Sequence, residues 1–150
     1  MKITFVCTGN SCRSPMAELY FAHLCRQAGR EDIVSASGGI FAWPGDTISP
    51  AAAAVMTKLG IPSDAFRSRR FDRYFAADSD LIIAMTAGHK EAIAEFAPEA
   101  ADKTRLLLDY SDGGNVPDPY GGSVTEYQRV FDVMKEALDN LALEVFKTAK

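Results

Sequence analysis

Eight residues near the start of the chain, Cys7-Thr8-Gly9-Asn10-Ser11-Cys12-Arg13-Ser14, pair a nucleophile with the means to hold an anion beside it. A cysteine sulfur attacks as the thiolate. An arginine presents a planar fork that matches two phosphoryl oxygens. Gly9 and Asn10 tolerate the positive φ that a tightly wound cradle of N–H groups requires. Ser14-Pro15 is a helix start signal, so the free donors of a helix N-terminus meet the same spot. They would favour both a bound phosphoryl group and a negative sulfur at Cys7. Ser14 itself can cap that helix, hydrogen-bond the sulfur, or do both.

A thiolate that takes a phosphoryl group leaves an oxygen or nitrogen in need of a proton, so a general acid is required. Asp118, in Pro117-Asp118-Pro119-Tyr120-Gly121-Gly122, is the candidate. Two prolines stiffen its backbone; an aspartate before proline is also a common turn residue. The basic cluster Arg67-Ser68-Arg69-Arg70 reads either as a solvated loop or as a patch near an anionic ligand. A zinc site is not expected, because His23 and His89 are the only histidines and lie far apart.

The elements needed to position these residues alternate along the chain. Strands are expected at Lys2–Val6, Ile33–Ser37, Leu81–Met85 and Arg105–Leu108. Helices are expected from Pro15 to about Ala28, where Met16, Leu19, Tyr20, His23, Leu24 and Gln27 share a face, over Pro50–Leu59 behind Ser49, and from Gly88 to Phe96. A Ser123-x-x-Glu126 capping box opens a last helix to about Phe146. Such alternation means a parallel sheet with helices on both faces, and ligands bind beyond the carboxyl ends of its strands. That edge carries the loops after Val6, Ser37, Met85 and Leu108.

A chain of 150 residues, 47% hydrophobic and 24% charged, fits one domain spanning 1–150. Its net charge of −4 argues against a nucleic-acid partner. No apolar run approaches the ~20 residues of a membrane span. The short stretch Ile3-Thr4-Phe5-Val6 is not a secretion signal, and three cysteines without one point to a reducing, cytoplasmic setting.

These residues resemble the low-molecular-weight protein tyrosine phosphatases. The resemblance is carried by Val6 to Glu18, Ser35-Ala36-Ser37-Gly38, Trp43, Ser68-Arg69, Ala84-Met85-Thr86 and Asp118-Pro119-Tyr120. It implies a single three-layer α/β domain with a four-stranded parallel sheet of flavodoxin-like winding. It implies Cys7 as nucleophile, Arg13 as transition-state clamp and Asp118 as general acid and then base. Thr8 to Ser14 become the phosphate-binding loop, with Asn10 and Ser14 shaping it. Cys12 becomes a redox-resolving partner of the nucleophile, or else a filler residue. Trp43 and Tyr120 match the aromatic pocket wall, although Trp43 could equally anchor a loop; Tyr20 and Tyr74 read as packing residues.

No metal or other cofactor is implied. The partners implied are a phosphorylated protein or peptide and inorganic phosphate as product, with the chain a monomer or weak dimer. Phosphotyrosine is the expected substrate. Phosphoarginine is the alternative, because a related arginine-phosphatase branch carries a polar residue where this chain has Ser11. Ser11 could instead serve only the loop. An arsenate reductase would need a cysteine relay, and only Cys25 remains for one. A phosphocarrier would not want the turnover that Arg13 and Asp118 promote, and nothing recommends a non-catalytic phosphoprotein binder.

Overall fold

The computed structural model describes residues 1–148. Its strands are β1 (Lys2–Cys7), β2 (Val34–Gly39), β3 (Leu81–Ala84) and β4 (Thr104–Leu106). Its α-helices are α1 (Arg13–Gln27), α2 (Pro50–Lys58), α3 (Arg73–Asp78), α4 (Ala87–Phe96) and α5 (Val124–Thr148), with 3-10 turns at Pro98–Lys103 and Leu107–Tyr110. The four strands form one parallel sheet in the order β2-β1-β3-β4. β1 is therefore central, and the first loop leaves from the middle of the sheet edge.

Strand residues alternate between the two faces. Ile3, Phe5 and Cys7 enter one core with Met16, Phe21, Val55, Met56, Met134 and Leu138 of α1, α2 and α5. Val6, Ile82 and Ala84 enter a second with Ala76 of α3 and Ile93 of α4. The three layers follow from these two opposed apolar sets.

Several boundaries differ from the sequence expectation, each for a local reason. α1 begins at Arg13, ahead of Pro15, so Ser14 lies inside its first turn; Cys12 occupies the N-cap position without a side-chain cap, and the Ser14 hydroxyl lies instead 2.9 Å from Cys7 Sγ. Its buried face holds Ala17, Phe21 and Cys25 as well as Met16 and Tyr20, while Gln27 is exposed. β2 runs on to Gly39 because Gly38 and Gly39 pair with Val6 and Cys7. β4 stops at Leu106, where the chain coils into a 3-10 turn that still buries Leu107 and Leu108. α3 is an addition of six residues, capped where the Asp72 carboxylate accepts the Phe75 N–H. The starts at Ser49 and Ser123 stand: Ser49 Oγ accepts from Ala52 N, and Ser123 Oγ from Glu126 N.

Candidate active site

The loop between β1 and α1 is fixed from outside through its carbonyl groups. The Cys7 and Thr8 carbonyls accept N–H groups from Ile40 and Phe41 at 3.0 and 2.9 Å. The Ser11 carbonyl accepts from Ser49 N at 2.9 Å, and the Asn10 carbonyl from the Ser68 hydroxyl at 2.7 Å. A loop whose carbonyls are engaged outward presents its N–H groups inward, which is an anion nest at a helix N-terminus. Gly39 makes the close winding possible: a Cβ there would sit 2.6 Å from the Thr8 carbonyl oxygen and 2.8 Å from Asn10 N.

Asn10 holds the turn together. It is buried, it is the one non-glycine residue with positive φ (54°) among the described residues, and every polar side-chain atom is used. Its amide donates to Ser14 Oγ at 2.8 Å and to Ser37 Oγ at 2.9 Å, and its Oδ1 accepts the Arg69 N–H at 2.9 Å. Ser37 in turn donates to Glu18 at 2.6 Å. Burial raises the Glu18 carboxyl, an effect opposed by the Ser37 hydrogen bond and the Arg69 charge. The far end of the chain of contacts is Ser14 Oγ, 2.9 Å from Cys7 Sγ.

A cavity of about 290 Å³ opens beside this sulfur, lined by Cys7, Thr8, Gly9, Ser11, Cys12, Arg13, Asp118 and Tyr120. Arg13 is buried at its wall. Its Nη1 donates to the Val116 carbonyl at 3.1 Å, and Nη2 lies 3.7 Å from Asp118 Oδ2. Val116 N also donates to the Met85 carbonyl, so the end of β3 and Arg13 together hold the segment that carries Asp118. Asp118 Oδ1 accepts the Tyr120 N–H at 3.1 Å, so the turn role and a role at the cavity coexist. Tyr120 stands at the rim, 81% exposed.

The cavity thus brings together Cys7, Arg13, Asp118, Ser11, Cys12 and Tyr120, with Asn10 and Ser14 behind the loop. Trp43 is not among its lining residues; it is 76% exposed on the chain following β2. Tyr20 packs edge-on against Phe131, whereas Tyr74 is exposed and packs nothing into the core. The basic cluster does neither thing expected of it alone. Ser68 and the Arg69 main chain brace the loop, the Arg69 guanidinium lies over the Phe75 ring, and Arg67 binds carbonyls of Asp64 and Phe66.

Sequence reasoning missed three contributors. Tyr127 of α5 brings its hydroxyl to 3.0 Å from Cys12 Sγ; burial and that bond push its phenol up to about 12. His89 of α4 places Nε2 2.8 Å from Thr8 Oγ1. Gly39 supplies the space described above. Only Gly39 had a local signal, a second glycine directly after Gly38 at a strand end. Among the described residues, no group of three or more His, Cys, Asp or Glu side chains is arranged to hold a metal ion. A larger cavity of about 550 Å³ lies against Phe41, Arg70, Phe71 and Phe96, and no cysteine, serine or threonine lines it.

The chain is similar to known proteins along most of its length. The family described as low molecular weight phosphotyrosine protein phosphatase matches residues 2–150. A protein-arginine-phosphatase from Geobacillus stearothermophilus is 38% identical over 143 residues, covering 94% of this chain and 93% of its own. A low molecular weight protein-tyrosine-phosphatase from Streptomyces coelicolor is 36% identical over 153 residues, covering 96% and 93%. Among solved structures, a mutant YwlE arginine phosphatase with a phosphorylated active-site serine superposes with a TM-score of 0.93 at 34% identity, covering 99% of this chain and 98% of that one.

Proposed function

The chain belongs to the low molecular weight phosphotyrosine protein phosphatase family and is a cysteine-based protein phosphatase; from that premise we propose the roles of its residues. Cys7 Sγ attacks phosphorus, forming an S–P bond as the bond to the leaving oxygen or nitrogen breaks. A protonated Asp118 gives its proton to that leaving atom. Water then attacks the phosphocysteine, Asp118 takes a proton from it, and inorganic phosphate departs as the S–P bond breaks. Arg13 and the loop N–H groups carry the charge that develops on the phosphoryl oxygens. Ser14 donates to the sulfur when it leaves.

The observation that carries this reading is the convergence of Cys7, Arg13 and Asp118 on one cavity, with the buried guanidinium 3.7 Å from the carboxylate. Phosphotyrosine in a protein is the proposed substrate, because Tyr120 supplies an aromatic face at the rim. Phosphoarginine is the second reading. It is supported by Ser11 lining the cavity, by Trp43 lying outside that lining, and by arginine phosphatases among the relatives. A Ser11 hydroxyl and an ionised Asp118 would together suit a guanidinium. The three free cysteines fit a reducing compartment, which we take to be the cytoplasm. No described helix is long and apolar enough to cross a membrane.

The test is kcat/KM for one peptide carrying either modification, with Cys7→Ser as blank and Ser11→Ile as probe. Preference for phosphotyrosine, little changed by Ser11→Ile, supports the first reading. Preference for phosphoarginine that Ser11→Ile reverses supports the second. Undiminished activity in Cys7→Ser ends both.

A further inference from the structure

Three side chains outside the reacting set meet at one point: Thr8 in the loop, Thr86 at the head of α4, and His89 within its first turn. His89 Nε2 lies 2.8 Å from Thr8 Oγ1, and Nδ1 lies 3.0 Å from Thr86 Oγ1. Thr86 Oγ1 also accepts the His89 main-chain N–H at 3.2 Å. The ring is buried, so both nitrogens depend on these partners. Burial first, and then the Arg13 charge, push the imidazole down to about 4, with Asp118 opposing. Near neutral pH it is therefore uncharged, with one N–H and one lone pair.

The two tautomers are not equivalent here. With the proton on Nδ1, Thr86 Oγ1 receives two donors and its own proton is left with neither ring nitrogen to meet. With the proton on Nε2, the Thr86 hydroxyl donates to Nδ1 and the Nε2–H donates to Thr8 Oγ1. The second arrangement pairs every polar hydrogen of the ring and of Thr86, so it is favoured. It also leaves one proton unspent, that of the Thr8 hydroxyl, on a residue that is exposed and lines the cavity beside Cys7.

We propose that His89 is a positioning residue that holds the Thr8 hydroxyl as a donor to a phosphoryl oxygen seated in the loop. It rests on the reading of this cavity as a phosphoryl site. The N–H cradle and Arg13 bind charge from the floor and one wall; Thr8 adds a neutral donor from another.

Calorimetric binding of inorganic phosphate tests this without needing turnover, with p-nitrophenyl phosphate kinetics run in parallel. The proteins are wild type, Thr8→Val, Thr8→Ser, His89→Ala, His89→Gln and the Thr8→Val/His89→Ala double variant. Thr8→Val and His89→Ala are each expected to weaken phosphate about tenfold to a hundredfold, the worth of one hydrogen bond to a charged group. The double variant should bind no more weakly than Thr8→Val, since the histidine acts through that hydroxyl. Thr8→Ser and His89→Gln, which keep a hydroxyl and an N–H, should recover most of the affinity. Unchanged binding in Thr8→Val overturns the proposal, as do additive losses in the double variant. If His89→Ala does not fold, His89→Gln alone and combined with Thr8→Val carries the same comparison. Absent turnover with intact, coupled phosphate binding counts against the phosphatase reading, whereas normal turnover without coupling counts against this proposal only.

Discussion

The Ser14 hydroxyl lies 2.9 Å from the Cys7 sulfur while accepting an N–H from Asn10 at 2.8 Å. An oxygen already engaged as acceptor on one side is set to turn its proton to the other. A hydrogen bond to a sulfur that carries negative charge is of the strong, charge-assisted kind. Ser14→Ala is therefore expected to lower kcat/KM for p-nitrophenyl phosphate by about tenfold to a hundredfold. Steady-state kinetics at neutral pH would show it; a loss smaller than threefold would remove Ser14 from the chemistry.

Asn10 carries the loop rather than the reaction. Alanine at this position would lose two amide contacts and the bond from Arg69 N, and would have to keep φ at 54°. A loss of about 2–4 kcal/mol in urea unfolding is expected for Asn10→Ala. Asn10→Gly accepts the backbone angle, so it should lose less. If glycine proves as damaging as alanine, the hydrogen bonds account for the whole effect.

Acid should destabilise the native state through His89. Folding holds this group at about 4 against its ordinary 6.5. Between those values the unfolded chain binds a proton that the folded chain refuses. The stability contribution is thus complete above about 6.5 and is lost as pH falls toward 4. Glu18 works in the other direction: burial raises its carboxyl, so acid in that range favours the folded form. Comparison with His89→Gln separates the two. From pH 7 to pH 5, wild type should lose about 1–2 kcal/mol more than the variant, after allowance for solvent screening. Parallel curves would clear the histidine of responsibility.

Cys25 should be inert in the folded protein. It is buried, and desolvation pushes its thiol up to about 11. Brief iodoacetamide treatment at pH 8 is expected to leave Cys25 unmodified and to label it fully in urea. Mass spectrometry of the Cys25 peptide reads the result; rapid native labelling would mean that α1 opens far more readily than its packing implies.

Most of the fold was legible because its signals are local. Ser49-Pro50 and the Ser123/Glu126 box marked helix starts through hydrogen bonds that reach three residues or fewer. Short apolar runs marked the strands. The ends were less legible, since the last two residues of β2 are glycines whose strand conformation is set by pairing with Val6 and Cys7. The site divides in the same way. Cys7, Arg13 and Asn10 lie in one loop, and Asp118 was found through its prolines. His89 and Tyr127 were not found, because each reaches the loop from a helix 81 or 115 residues away. Tyr74, read as a packing residue, proves exposed for a related reason: aromaticity shows apolar surface, not which way a six-residue helix turns it.

The distances in sequence have a bearing on how the protein comes into being. The end of β1 and the first turn of α1 hold the proposed nucleophile and clamp, but the carbonyl that aims Arg13 is 103 residues further along, and the phenol at Cys12 is 115. On the ribosome, the loop emerges about a hundred residues ahead of the partners that complete it. A nascent chain halted before Val116 has a sulfur and no acid opposite it. With the roles proposed above, catalytic competence therefore waits for the segment that carries Asp118.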